Sequence, residues 1–108
     1  MRRTNVSSLA EAGEHVAQLT DMFRLLGDNS RLRILLACLD MPVSVGELAD
    51  RLDLSGSLVS HHLRLLRAAR IVKADRRGKQ VFYSAADDHI RCVIADMLEH
   101  ISEPDEED

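Results

Sequence analysis

Four side chains towards the C-terminal end of this sequence combine metal-ligand types with an informative spacing: Asp87, His89, His100 and Glu103. Two imidazoles and two carboxylates suit a closed tetrahedral Zn(II) site, with Co(II) a close mimic; Ni(II) asks for further ligands, for which His15 is a candidate. Both histidines sit in a segment where Ile90, Val93, Ile94, Met97, Leu98 and Ile101 recur at helical spacing. The eleven-residue step between them puts both on one helical face, about 20° apart after three turns and about 16 Å apart along the axis. Zn–N bonds are about 2 Å, so no single ion is held by both within one chain. Two copies of the helix packed antiparallel remove the difficulty. Asp87 and His89 of one chain then meet His100 and Glu103 of the other, giving two symmetric sites. Four ligands closing a site on a helix surface leave no open metal position, positioned base or cleft, so no catalysis is expected.

A second set of residues points to nucleic acid. The formal net charge of −4 argues against such a partner, but its distribution reverses the impression. Between Ser55 and Tyr83 the chain carries seven basic residues (Arg64, Arg67, Arg70, Lys73, Arg76, Arg77, Lys79) and one acidic residue, Asp75, whereas Ala85 to Asp108 carries nine acidic residues and only Arg91. A basic segment beside an acidic one is an electrostatic signature of nucleic-acid binding.

The elements that must position these residues are readable from periodicity and caps. Leu9, Val16, Leu19, Met22, Phe23 and Leu26 predict a helix over 9–26 that Gly27 ends. Its apolar stripe needs a partner. Asp28-Asn29-Ser30 offers N-caps for a second helix with Leu32, Leu35, Leu36 and Leu39 inward, closed by Met41-Pro42. Ser44-Val45-Gly46-Glu47 reads as a capping box opening a short helix to about Leu52. Asp53-Leu54 is then a turn. Ser55 caps a helix over Gly56 to Ala69 with Leu58, Val59, Leu63 and Leu66 inward and Ser57, Ser60, His61, Arg64 and Arg67 outward. Two short helices and a tight turn make a helix-turn-helix. Strand-like runs at 71–75 and 80–84, separated by Arg76-Arg77-Gly78-Lys79, predict a hairpin with a basic tip, a wing that places Arg76, Arg77 and Lys79 against phosphates or a minor groove. The fold class is therefore mainly α with a β-hairpin wing. The DNA-contacting candidates are Ser55, Ser57, Ser60, His61, Arg64, Arg76, Arg77 and Lys79.

One domain over 1–103 with an acidic tail at 104–108 fits the 108-residue length. No apolar run approaches the roughly 20 residues that span a bilayer, and Met1-Arg2-Arg3-Thr4-Asn5 leads into no signal-peptide core, so a cytoplasmic location is expected. Cys38 and Cys92 form no CxxC motif, which suits a reducing compartment. Cys38 falls on an apolar face and is expected in the core; Cys92 is open between interface and surface.

The sequence resembles the ArsR/SmtB family of metal-sensing winged-helix repressors from about Leu19 to Glu103. The resemblance is carried by Leu25 through Leu35, Leu54 through Leu63, Gly78 through Ser84, and Asp87-x-His89-x10-His100-x2-Glu103. It implies a winged helix-turn-helix homodimeric through its first and last helices, a palindromic operator as DNA partner, and release when Zn(II) occupies sites shared between protomers. Co(II) or Ni(II) as the effector of the same scaffold is the alternative. Ser44-Val45-Gly46 stands where members that sense soft metals carry Cys-x-Cys, so no thiolate site is expected. A winged helix used only for protein contacts leaves the basic segment unexplained.

Overall fold

Gly27 ends the first apolar-periodic stretch, and the helix it closes, α1, runs Leu9–Leu26. The computed structural model describes residues 9–105; positions 1–8 of the expected domain and 106–108 of the expected tail lie outside them. α2 (Asn29–Ala37) is capped by Asp28, whose Oδ2 accepts the Arg31 amide at 3.0 Å. This hydrogen bond holds the Asp28 carboxyl below the usual carboxylate range.

α2 ends before the expected Met41-Pro42 stop. The Cys38 amide already reaches the carbonyls of Ile34 and Leu35, tightening the last turn, and the Cys38 carbonyl accepts the Ala85 amide at 3.2 Å. The chain leaves the helix to join a sheet. β1 (Val43–Ser44), a two-residue strand absent from the sequence reading, pairs antiparallel with β3 (Gln80–Ala85), Val43 opposite Tyr83 and Ser44 opposite Phe82. β2 (Val72–Arg77) pairs along the other edge of β3, giving the order β1-β3-β2.

Ser44 also caps α3 (Val45–Leu52) in a complete capping box: its Oγ accepts the Glu47 amide at 3.3 Å, and Glu47 Oε1 accepts the Ser44 amide at 3.2 Å. Ser44→Ala is expected to cost about 1 kcal/mol. The check is a lower urea midpoint at unchanged m-value.

α4 (Gly56–Ala68) follows after Asp53 takes a left-handed conformation. Its C-terminus closes as a Schellman motif: Arg70, at φ 61°, donates its amide to Arg67 O, and Ile71 donates to Leu66 O, both at 2.9 Å. Leu66 and Ile71 are both buried at that closure. The β2–β3 loop is only Gly78-Lys79, with Gly78 at φ 66°, so Arg76 and Arg77 lie on β2 and not in the turn. α5 (Asp88–Ser102) is capped by Asp87, and Glu103 is its C-cap; these two flank the helix and do not lie within it.

The core gathers Ile34, Leu35, Cys38 and Leu39 from the α2 region, Leu48 from α3, Val59, Leu63 and Leu66 from α4, and Ile71, Val72, Val43 and Ala85 around the sheet. Leu58, expected inward, is 39% exposed at the start of α4, while Ile34 and His62 take inward positions the sequence reading did not assign. Of α5 only Ile94 is buried. Val16, Leu19 and Phe23 of α1 and Val93, Met97, Leu98 and Ile101 of α5 stay exposed. No helix among the described residues is long and apolar enough to cross a membrane.

Candidate nucleic-acid interface and metal-ligand residues

Ser55 starts α4 by accepting the Leu58 amide on Oγ at 3.1 Å, and its hydroxyl lies 3.4 Å from that of Ser57. Burying Val59, His62, Leu63 and Leu66 turns the opposite face outward. Ser57, His61, Arg64 and Arg67 are exposed there, and Ser60 is half-buried. Ser60, Arg64 and Arg67 share a surface groove with Tyr83 of β3. Arg67 and Tyr83 thus join the DNA-facing candidates. The sequence signal for Arg67 was its outward register; for Tyr83 there was none, because only the sheet brings it beside α4.

Strand alternation separates the two wing arginines. Ala74 lies opposite Tyr83, so Arg76, two residues on, shares the face of the α4 groove. Arg77 points to the other face. Its Nε donates to Asp75 Oδ2 at 3.0 Å, and its guanidinium lies 5.3 Å from the Phe82 ring centre. Arg76 and Lys79 have no carboxylate partner among the described residues. Of the three basic wing residues, Arg77 is the one already partly neutralised.

The four metal-ligand candidates fall into two pairs at opposite ends of α5. Asp87 accepts the Ile90 amide on Oδ1 at 3.0 Å, its Oδ2 having no hydrogen-bond partner among the described residues, and lines a hollow with His89, Arg70, Gln18 and Asp21. His100 and Glu103 border a separate hollow with Ile101 and Pro104. Among the described residues no three His, Cys, Asp or Glu side chains come together within one protomer. α5 is fixed to the body by Arg91, which donates to the Leu39 carbonyl at 2.9 Å and pairs with Asp88.

The remaining candidates are placed simply. His15 is exposed on α1. Cys38 is fully buried, and burial pushes its thiol up to about 12, which suppresses the thiolate a reactive cysteine needs. Cys92 is exposed on α5.

Sequence reasoning missed a buried polar contact behind α4. His62 is 7% exposed, and its Nδ1 lies 3.4 Å from a terminal guanidinium nitrogen of Arg31. Arg31 Nε in turn donates to the Leu25 carbonyl at 2.7 Å.

Residues 28–74, from the cap of α2 into β2, match the family model of the bacterial regulatory protein, arsR family. A transcriptional repressor SmtB homolog from Synechocystis sp. is 38% identical over 92 residues, covering 85% of this chain and 70% of the relative. Among solved structures, reduced HlyU from Vibrio cholerae superposes with a TM-score of 0.76 at 30% identity, over 86% of this chain and 98% of that one. A homodimeric winged helix-turn-helix DNA-binding domain from Mycobacterium bovis gives 0.76 at 17% identity, over 100% and 99% of the two chains, a likeness of fold. The chain belongs to the ArsR/SmtB family of winged helix-turn-helix transcriptional regulators, DNA-binding proteins and not enzymes.

Proposed function

We propose that the protein is a metal-responsive homodimeric repressor that holds a palindromic operator through α4 and the wing and releases it when Zn(II) binds between the two α5 helices. The observation that carries this reading is the division of labour on α5: one ligand pair at each end, with an uncovered apolar face between them. The donor chemistry fits. Asp87 and His89 of one protomer with His100 and Glu103 of its partner offer two imidazole nitrogens and two carboxylates, and the Asp87 oxygen left free by capping is available. Zn(II), when bound, supplies a cross-link between the two helices.

The chain's own residues do the rest. α1 and α5 pair their exposed apolar faces with a second copy, setting the spacing of two reading heads to half-sites about one DNA turn apart. Ser57, Ser60 and His61, in the N-terminal half of α4, reach base edges in the major groove. Ser55 orients that end, and Arg64, Arg76 and Lys79 meet phosphates. Arg77 contributes after exchanging Asp75 for a phosphate oxygen.

The test is DNA binding by the purified, metal-free protein on a duplex selected by it from a random pool, with Zn(II), Co(II) or Ni(II) added in turn. Binding without metal and release at micromolar Zn(II) is the expected result; indifference to all three metals overturns the reading. On the same duplex, Ser57→Ala with His61→Ala is expected to lower specific binding more than binding to random DNA. Arg76→Ala is expected to weaken both and reduce the salt slope by about one. Equal losses on both DNAs for the Ser57 and His61 pair rule out base contacts by these residues.

A further inference from the structure

The buried face of α4 is apolar except at His62. That imidazole meets Arg31, which is itself fixed: its amide is held by Asp28 Oδ2 at 3.0 Å and its Nε by the Leu25 carbonyl at 2.7 Å. Leu25 belongs to the last turn of α1, so this one guanidinium, carried on α2, touches both α1 and α4. An arginine stays protonated in a protein and only donates. The 3.4 Å contact with His62 Nδ1 is therefore a hydrogen bond only while Nδ1 is an acceptor, with the imidazole neutral and its proton on Nε2.

We infer that Arg31 and His62 are positioning residues for DNA recognition: the Arg31 guanidinium, anchored on the end of α1, holds α4 at its reading angle through the neutral His62 ring. The inference rests on α4 being the DNA-reading helix. The outer neighbour of His62 on that helix is His61, with ring centres 5.7 Å apart, so the inner ring lies directly behind a residue of the DNA-facing surface. Protonating His62 replaces the acceptor by a second N–H and sets two cations against each other.

The groups facing His62 are Arg31 of α2, Asp28 at the α2 cap and His61 of its own helix. Burial first, then the Arg31 charge, outweigh Asp28 and hold the imidazole below the ordinary histidine range. The contribution of the neutral ring is thus complete above the unfolded-state value of about 6.5 and is lost as the pH falls towards the lower folded-state value.

The experiment is a pH profile of DNA affinity for the full chain in chelator, on the duplex selected by the wild-type protein and on a scrambled duplex. Wild type is expected to lose affinity for the selected duplex as the pH falls from about 7.5 to about 5.5, by more than about twofold and less than about tenfold, beyond any change on the scrambled one. His62→Gln keeps an oxygen that accepts from Arg31 at every pH, and is expected to bind within about threefold of wild type at neutral pH without the acid loss. His62→Leu is expected to bind about tenfold more weakly at both pH values. A flat wild-type profile, an unchanged acid loss in His62→Gln, or full neutral affinity in a cooperatively folding His62→Leu each overturns the inference. Failure of the reading-helix assignment gives a different result: unaltered specific binding when Ser57 and His61 are both alanine.

Discussion

His100→Ala is expected to lower metal affinity by more than about 100-fold, because losing a ligand outright exceeds the 10- to 100-fold cost of losing only an outer partner of one. Operator affinity without metal should stay within about twofold, since His100 lies in the last turn of α5, in a hollow that no residue of α4 or the wing lines. The two measurements together isolate regulation from reading. Sharing of ligands between protomers is then tested with a mixed dimer carrying His89→Ala in one chain and His100→Ala in the other. Both lesions fall in one of the two sites, so one tight site per dimer is expected. No tight site in the mixed dimer, or DNA release by His100→Ala at micromolar Zn(II), contradicts the arrangement.

The second large effect is expected at the uncovered apolar face. Phe23 is 55% exposed on α1 and lines an apolar groove with Leu19, Val93 and Met97. A carboxylate there, in Phe23→Asp, leaves the protomer core of Ile34, Leu35, Leu63 and Leu66 untouched but cannot be buried unpaired against a second copy. The variant should sediment as a folded monomer at micromolar concentration. Its affinity for the palindromic duplex should fall on the order of 100-fold or more, because the second reading head no longer binds at a high effective concentration. A dimeric variant with full affinity removes α1 from the interface.

The end of α1 and the starts of α3 and α4 were legible because they are set locally, by apolar spacing, Gly27, the Ser44–Glu47 pair and Ser55. What was illegible is set by distant partners. The short strand at Val43–Ser44 exists through Tyr83 and Phe82, and the early end of α2 follows from the Ala85 amide. His62 was given no position from the sequence. A turn of 100° between neighbours sends His61 out and His62 in, against Arg31, thirty-one residues earlier in the chain. The same blindness covered the wing, where only strand pairing tells Arg76 from Arg77. The candidate metal residues were legible as a spacing, and α5 adds that its ends are capped by two of them.

The Schellman closure of α4 has a kinematic meaning. Ala69, Arg70 and Ile71, the three residues joining α4 to β2, all donate their amides back into α4, and the Ile71 carbonyl accepts the Ala86 amide at 3.0 Å just before the Asp87 cap. There is no slack hinge between helix and wing along this path. Helix and wing are therefore joined stiffly along this path, and the same Ile71 carbonyl ties the joint to the residues that lead into α5. On the proposed reading, a rotation imposed at α5 by metal reaches the wing through this stiff joint, and the Gly78-Lys79 turn, at the tip of the hairpin, is displaced further than the strands' base.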